Sequence, residues 1–166
     1  MSTVQPPQGW KRIVWRLPIW LYRARLGRLL GGRFLLLTHT GRKSGLPRYA
    51  VVEVMRHDPV TNTYYVASGF GEKSDWFRNI MKTPQVTIQV GRRQMPAIAE
   101  RLSLEDAERE LLDYARRHPR ALRNLARILG YRIENTEEDI RALAQMVPIV
   151  AFRVREQSKE QGTGGT

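Results

Sequence analysis

The sequence predicts an α+β fold: a small, mainly antiparallel β-barrel accompanied by helices. Three observations lead there. Five short β-type segments are separated mostly by tight turn signals, a helical excursion precedes one last apolar strand, and the strand–helix alternation of a parallel sheet is missing. No G-x-G-x-x-G stretch is present either, which argues further against a Rossmann-type layer. A chain of 166 residues is about one domain's worth and buries a core without staples. The absence of cysteine excludes disulfides, thiolate metal sites and cysteine nucleophiles. His39, His57 and His118 share no short ligand spacing, so no metal site is expected.

Taken in order, residues 1–9 are polar and proline-rich. Residues 10–30 (WKRIVWRLPIWLYRARLGRLL) interleave arginines with aromatic and aliphatic residues. Pro18 suits the first turn of a helix and Gly31-Gly32 stops it. Within it Ile19, Tyr22, Leu26, Leu29 and Leu30 share one stripe, with Arg23, Arg25 and Arg28 elsewhere. Such a helix either packs on its own domain or lies on anionic lipid with Trp10, Trp15 and Trp20 at headgroup level, and the two are compatible.

Strands follow at 34–40, ending at Gly41, at 48–57, ending at Asp58-Pro59, and at 63–68, ending at Gly69-Phe70-Gly71. Residues 73–82 read as a short helix with Ser74 as N-cap, halted before Pro84. Segments 85–90 and 94–101 flank the turn Gly91-Arg92-Arg93 as a hairpin. Ser103-x-x-Asp106 resembles a capping box and opens a helix to about His118; a second helix covers 120–129, and Thr136-x-x-Asp139 starts a third. Residues 147–154 close with a strand, and 156–166 have the composition of a flexible tail.

Charge is placed unevenly. The formal net charge is +12, and ten basic side chains precede Glu53, the first carboxylate. An anionic partner follows: nucleic acid, a membrane surface or a phosphorylated small molecule. No apolar run approaches the ~18 residues of a membrane span, and the N-terminus has no secretory pattern, so the chain is expected in the cytoplasm.

Two clusters carry chemistry. In 38–48 (THTGRKSGLPR), two glycines four apart permit sharp turns that let successive amides converge on one anion, while Arg42, Lys43 and Arg48 add charge and Ser44 a hydroxyl. A solvated basic hairpin turn has the same composition. In 67–79 (ASGFGEKSDWFRN), a strand ending in small residues lets a flat ring approach the backbone. Trp76 and Asn79 lie three apart on the next helix, one suited to stacking and the other to hydrogen bonding, whereas Phe77 and Ile80 read as core. Arg116, Arg117, Arg120, Arg123 and Arg127 form a basic face read as solvated surface.

The ordered series T-G-R-K-S-G-x-P-R, a strand ending in A-S-G, D-W-F-R-N-I, and T-P-Q-V-T-I-Q-V-G resembles the deazaflavin-dependent nitroreductase family across about residues 33–102. That resemblance implies a split β-barrel of the flavin-reductase type, with a basic amphipathic segment at 1–32, the barrel domain at 33–155 and the tail beyond. It implies the coenzyme F420, whose phosphate and oligoglutamate tail would be held by Arg42, Lys43, Ser44 and Arg48. Val51 and Val52 would run beside the deazaflavin through their backbone, with Ala67, Ser68 and Gly69 opposite and Trp76 and Asn79 at the pocket. Ser68 or a nearby amide would stabilise charge on the acceptor, and Trp76 and Tyr131 would face the substrate. Two departures stand out: Glu53 replaces a tyrosine of the family's best-studied type, and the tyrosine-rich C-terminal segment gives way to an Arg-rich excursion in which Tyr114 and Tyr131 are the candidates.

The implied function is hydride transfer between the deazaflavin and an apolar small-molecule acceptor such as a quinone or nitro compound. The alternatives are a split barrel binding FMN, which the same phosphate turn would serve, and a non-enzymatic membrane or nucleic-acid module built on residues 1–33. No helix-turn-helix, zinc or RRM motif accompanies that segment, so nucleic acid is not expected as a partner. The anionic membrane surface, met through residues 10–30 at the inner face of the cell membrane, is the expected partner beside the acceptor.

Overall fold

The computed structural model describes residues 31–128 and 130–156. The helix expected within 10–30 and all but the first residue of the expected tail lie outside that range. Six strands, β1 (Phe34–Thr40), β2 (Pro47–Asp58), β3 (Thr63–Ala67), β4 (Gln85–Val90), β5 (Arg93–Arg101) and β6 (Ile149–Val154), close into an antiparallel barrel in the order β1-β2-β3-β6-β5-β4. Helix α1 (Asp75–Lys82) enters between β3 and β4. Helices α2 (Leu104–Arg117), α3 (Pro119–Ile128) and α4 (Glu137–Met146) form a cap between β5 and β6.

The elements predicted within the described residues are present, with small shifts at their ends. The β4–β5 turn is the two residues Gly91 and Arg92, so Arg93 already pairs with Val90. The short helix starts two residues late, because Gly71–Lys73 form a separate 3-10 turn. Ser74 does occupy the N-cap position, but its side chain makes no cap hydrogen bond. Ser103 and Thr136 do cap, their hydroxyls accepting from the amides of Asp106 and Asp139 at 3.2 Å.

Strand alternation sorts the apolar residues into two cores. Leu35, Leu37, Val52, Val66, Ile88 and Phe152 fill the barrel interior. Met55 and Ile149 face outward and join Leu111, Leu122, Ile140 and Leu143 of the cap. This explains why β6 begins IVAF with four buried residues in a row: one face meets the barrel core and the other the cap. A bidentate ion pair from Arg56 of β2 to Glu110 of α2 ties the two together, and the Arg56 guanidinium also lies 4.3 Å over the Tyr65 ring.

β2 changes partner along its length. Residues 47–53 pair with β1, while the ladder to β3 begins only at Val54–Val66 and carries a bulge before Arg56. Among the described residues, no strand therefore takes up the second edge of β2 at residues 51–53.

Phe152 is fully buried and pairs across to both Tyr64 and Ala99. Phe152→Ala is expected to lower unfolding free energy by about 3–5 kcal/mol, measured as a fall in the urea midpoint at constant m-value.

Candidate active site

The partner change of β2 opens a cavity of about 260 Å³ between the barrel and the cap, near the lower end of small-molecule sites (~300–1,000 Å³). Its barrel side is Phe34, Val51, Val52, Glu53 and Met55, with Ala67, Gly69, Phe70 and Trp76 opposite. Its cap side is Leu111 and Tyr114 from α2, Leu122 and Ala126 from α3, then Leu143 and Val147. The walls are almost wholly apolar, with one phenol, Tyr114, and one carboxylate, Glu53. Burial raises the Tyr114 hydroxyl above its ordinary value, and the neighbouring Glu53 carboxylate adds to this. Glu53 in turn pairs with Arg33 at 3.4 Å.

At the start of β2 lies the cationic turn. Four of its amides are taken up within the protein. The Gly41 amide donates to Leu46 O, Gly45 to Gly41 O, Leu46 to Ser44 Oγ, and Arg42 to Asn79 Oδ1. These bonds shape the turn rather than bind a ligand. They also explain Gly41, since a Cβ there would meet Ser44 Oγ at 2.6 Å, and Gly45, whose φ of +69° favours glycine. The Ser44 hydroxyl proton and the exposed side chains of Lys43 and Arg48, which make no ion pair among the described residues, are open to an anion, as are the Lys43 and Ser44 amides.

The turn is gripped from α1. Asn79, 4% exposed, accepts through Oδ1 from the Arg42 amide at 3.1 Å and from Arg42 Nη1 at 2.9 Å. Arg42 Nη2 reaches Asp75 at 3.0 Å, and Lys82 Nζ donates to Arg42 O at 2.8 Å. Two donors on Oδ1 fix the amide's orientation, so its Nδ2 donates to His39 Nδ1 at 3.0 Å and the imidazole proton sits on Nε2. Burial, reinforced by the Arg48 charge, lowers His39 to about 4, against the pull of Asp75. His39 is thus a neutral, buried acceptor at neutral pH.

Of the residues picked from sequence, the structure brings Val51, Val52, Ala67, Gly69 and Trp76 together around the cavity. Lys43, Ser44 and Arg48 stay on the exposed turn. Arg42 is turned toward α1 instead of outward, and Asn79 holds it there, away from the cavity walls. Ser68, expected at the acceptor, is fully buried: its hydroxyl donates to Gly71 O at 2.8 Å and its amide to Pro148 O at 2.8 Å. Both of its donors are therefore occupied in the β3 turn. Tyr131 packs against the cap core, and Tyr114 occupies the cavity wall in its place. The cap residues Leu111, Leu122, Ala126 and Leu143 were not singled out from sequence. Their only signal was helical periodicity, which marks a buried face without saying what it covers.

Comparison with known proteins decides the family. Residues 14–127 match the F420H(2)-dependent quinone reductase family. The chain belongs to that family. It is a deazaflavin-dependent reductase, and its barrel is a split barrel. Solved structures of the same fold include an F420-H2-dependent reductase, FDR-A, at 20% identity and TM-score 0.51 over 73% of this chain and 94% of that one. An FMN-binding protein related to pyridoxamine 5'-phosphate oxidase, from Nostoc punctiforme, aligns at 14% identity and TM-score 0.53 over 92% and 83%. A pyridoxinephosphate-oxidase-family protein from Clostridium acetobutylicum aligns at 8% identity and TM-score 0.50 over 82% and 84%.

The residues present in this reductase fit the F420 coenzyme on two structural counts. The open edge of β2 at 51–53, facing the small residues Ala67 and Gly69, suits a planar ring that hydrogen-bonds through its rim. Arg48 lies three residues before Val51 on the same strand, or ~10 Å at the usual strand rise, so a polyanionic tail leaving the ring would meet the cationic turn.

His39 gives the site a pH signature. The free side chain titrates at 6.5 and the folded one at about 4. Between those values the unfolded chain holds a proton that the folded chain does not, so stability falls as pH drops through that window. His39→Gln is expected to flatten this dependence, measured by urea unfolding at pH 7 and pH 4.5.

Proposed function

We propose that this F420-dependent reductase delivers a hydride to a neutral, apolar acceptor of the quinone or nitro-compound class, seated in the cavity between β2 and the helical cap. The observation that carries this reading is the composition of the cavity: aliphatic and aromatic walls from both barrel and cap, with a single phenol and a single carboxylate, Glu53, that Arg33 pairs with. When bound, the reduced deazaflavin supplies the hydride; the chain's own residues bind, orient and shield.

Lys43, Arg48 and the Ser44 hydroxyl hold the anionic end of the coenzyme. Ala67 and Gly69 leave room for a flat ring against the β2 edge, and Trp76 closes one side. Leu111, Leu122 and Leu143 exclude water, which strengthens every dipole left inside. A quinone that accepts a hydride develops an oxyanion and then takes up a proton. Tyr114 stays protonated because burial raises its titration, so its hydroxyl is the group in the wall able to donate to that oxygen. It takes the part the sequence assigned to Ser68. The segment 10–30 is read as a basic, amphipathic contact with an anionic membrane, where apolar quinones reside.

The FMN reading shares the fold of the Nostoc protein and is separated by colour: an as-purified yellow protein with a flavin absorbance band would replace the F420 assignment.

Two results are expected. Replacing both Lys43 and Arg48 by Ala raises the Kd for F420 at least tenfold and flattens its dependence on salt, measured by fluorescence titration. Tyr114→Phe, which keeps the packing, lowers kcat for a benzoquinone on the order of a hundredfold while leaving that Kd unchanged. An unchanged kcat would remove Tyr114 from the proton-donating role.

A further inference from the structure

We propose that the outer face of α3 is a docking surface for anionic lipid, placing the acceptor cavity beneath it at the bilayer surface. Helix α3 (PRALRNLARI) contains no acidic residue. Arg120, Arg123 and Arg127 are exposed and follow i, i+3, i+7 spacing, so they form one stripe. None of them makes an ion pair among the described residues. The contrast with the rest of the cap is informative. On α2, Arg109 pairs with Glu105 and Asp106, and Arg117 with Asp113; on α4, Arg141 pairs with Glu137. Those helices pair most of their arginines with carboxylates one turn away, Arg116 of α2 being the exception among the described residues, whereas α3 leaves all three of its arginines uncompensated.

The inner face of the same helix is what gives the stripe a partner. Leu122 and Ala126 are buried and line the cavity. A helix with its side chains is about 10–12 Å thick, so the basic stripe and the cavity are separated by one helix. An apolar acceptor leaving a bilayer docked on α3 would have that short distance to cross. Arginine beside anionic headgroups gains from both charge and its planar fork of donors. Nucleic acid fits less well, because α3 offers no aromatic side chain on which a base would stack. The biological sense of this docking rests on the apolar-acceptor reading above, but its test does not.

The experiment uses the full-length protein and flotation with phosphatidylcholine vesicles, with and without phosphatidylglycerol. Wild type is expected to bind only the anionic vesicles, and less tightly as salt rises. The triple variant Arg120→Gln, Arg123→Gln, Arg127→Gln should weaken that binding by roughly fivefold per arginine, on the order of a hundredfold in all. Its affinity for F420 and its turnover of a short, water-soluble quinone should stay at wild-type levels. The proposal is overturned if the triple variant floats like wild type, including the case in which neutralising the bases of residues 10–30 alone abolishes binding. It is equally overturned if wild type ignores the vesicles and binds duplex DNA or RNA at the same salt. Loss of F420 binding or of soluble-quinone turnover in wild type itself would count against the proposed function, and the vesicle comparison would still decide the docking face.

Discussion

The site depends on one strand serving two neighbours in succession. β2 is twelve residues long, and its first half belongs to β1 while its second belongs to β3. A strand shared by the same two neighbours along its whole length would have both edges hydrogen-bonded, and the barrel would be sealed. The hand-over at Val54, marked by a bulge, leaves residues 51–53 with one edge unpaired among the described residues, just where β3 ends in Ala67 and turns away. An open edge in a sheet is ordinarily a liability. Here the cap helices pack beside it, and the enclosed space between edge and cap is the cavity. Polar backbone and apolar wall thus come together by topology, with little need for polar side chains.

A second consequence concerns how the two ends of a long ligand are kept in register. The cationic turn sits at one end of β2 and Trp76 on α1 closes the cavity, two features with separate places in the chain. Asn79, Asp75 and Lys82 of α1 all bond to Arg42 of the turn. The buried amide of Asn79 is the member that matters most, because it has no water to fall back on: losing a partner would leave a desolvated donor or acceptor. His39 completes the amide's donor side only while neutral, which is why burial that keeps it deprotonated also keeps the turn in place. Helix α1 is therefore a brace between the cationic turn and the cavity.

What was legible in the sequence was local. Strand ends followed from Gly41, Asp58-Pro59 and Gly69; cavity walls from the small residues at 67–69 and the tryptophan after them. These are features whose physical reason lies within a few residues. The role of Asn79 was not legible, since its partners lie 37 and 40 residues away and nothing in D-W-F-R-N-I distinguishes an amide facing a ligand from one facing Arg42. The Ser68 hydroxyl was hard to place for a related reason: a hydroxyl near a turn is drawn to a local carbonyl, here Gly71 O. Which amides the turn itself consumes was not legible, because glycine spacing reports conformational freedom alone.

The cap also bears on the charge the cavity would tolerate. Glu53 stands where the sequence departs most visibly from the family it resembles, and it is the one carboxylate in the wall. Arg33 pairs with it from outside the lining, so the charge is partly balanced. An anionic acceptor would bring like charge toward Glu53. On the proposed reading a neutral quinone would meet no such penalty, and its oxygen would accept from the Tyr114 hydroxyl. The same apolar cap would then serve both proton donation and selection by charge. Both effects trace to helices that leave the barrel after β5 and return only for its final strand.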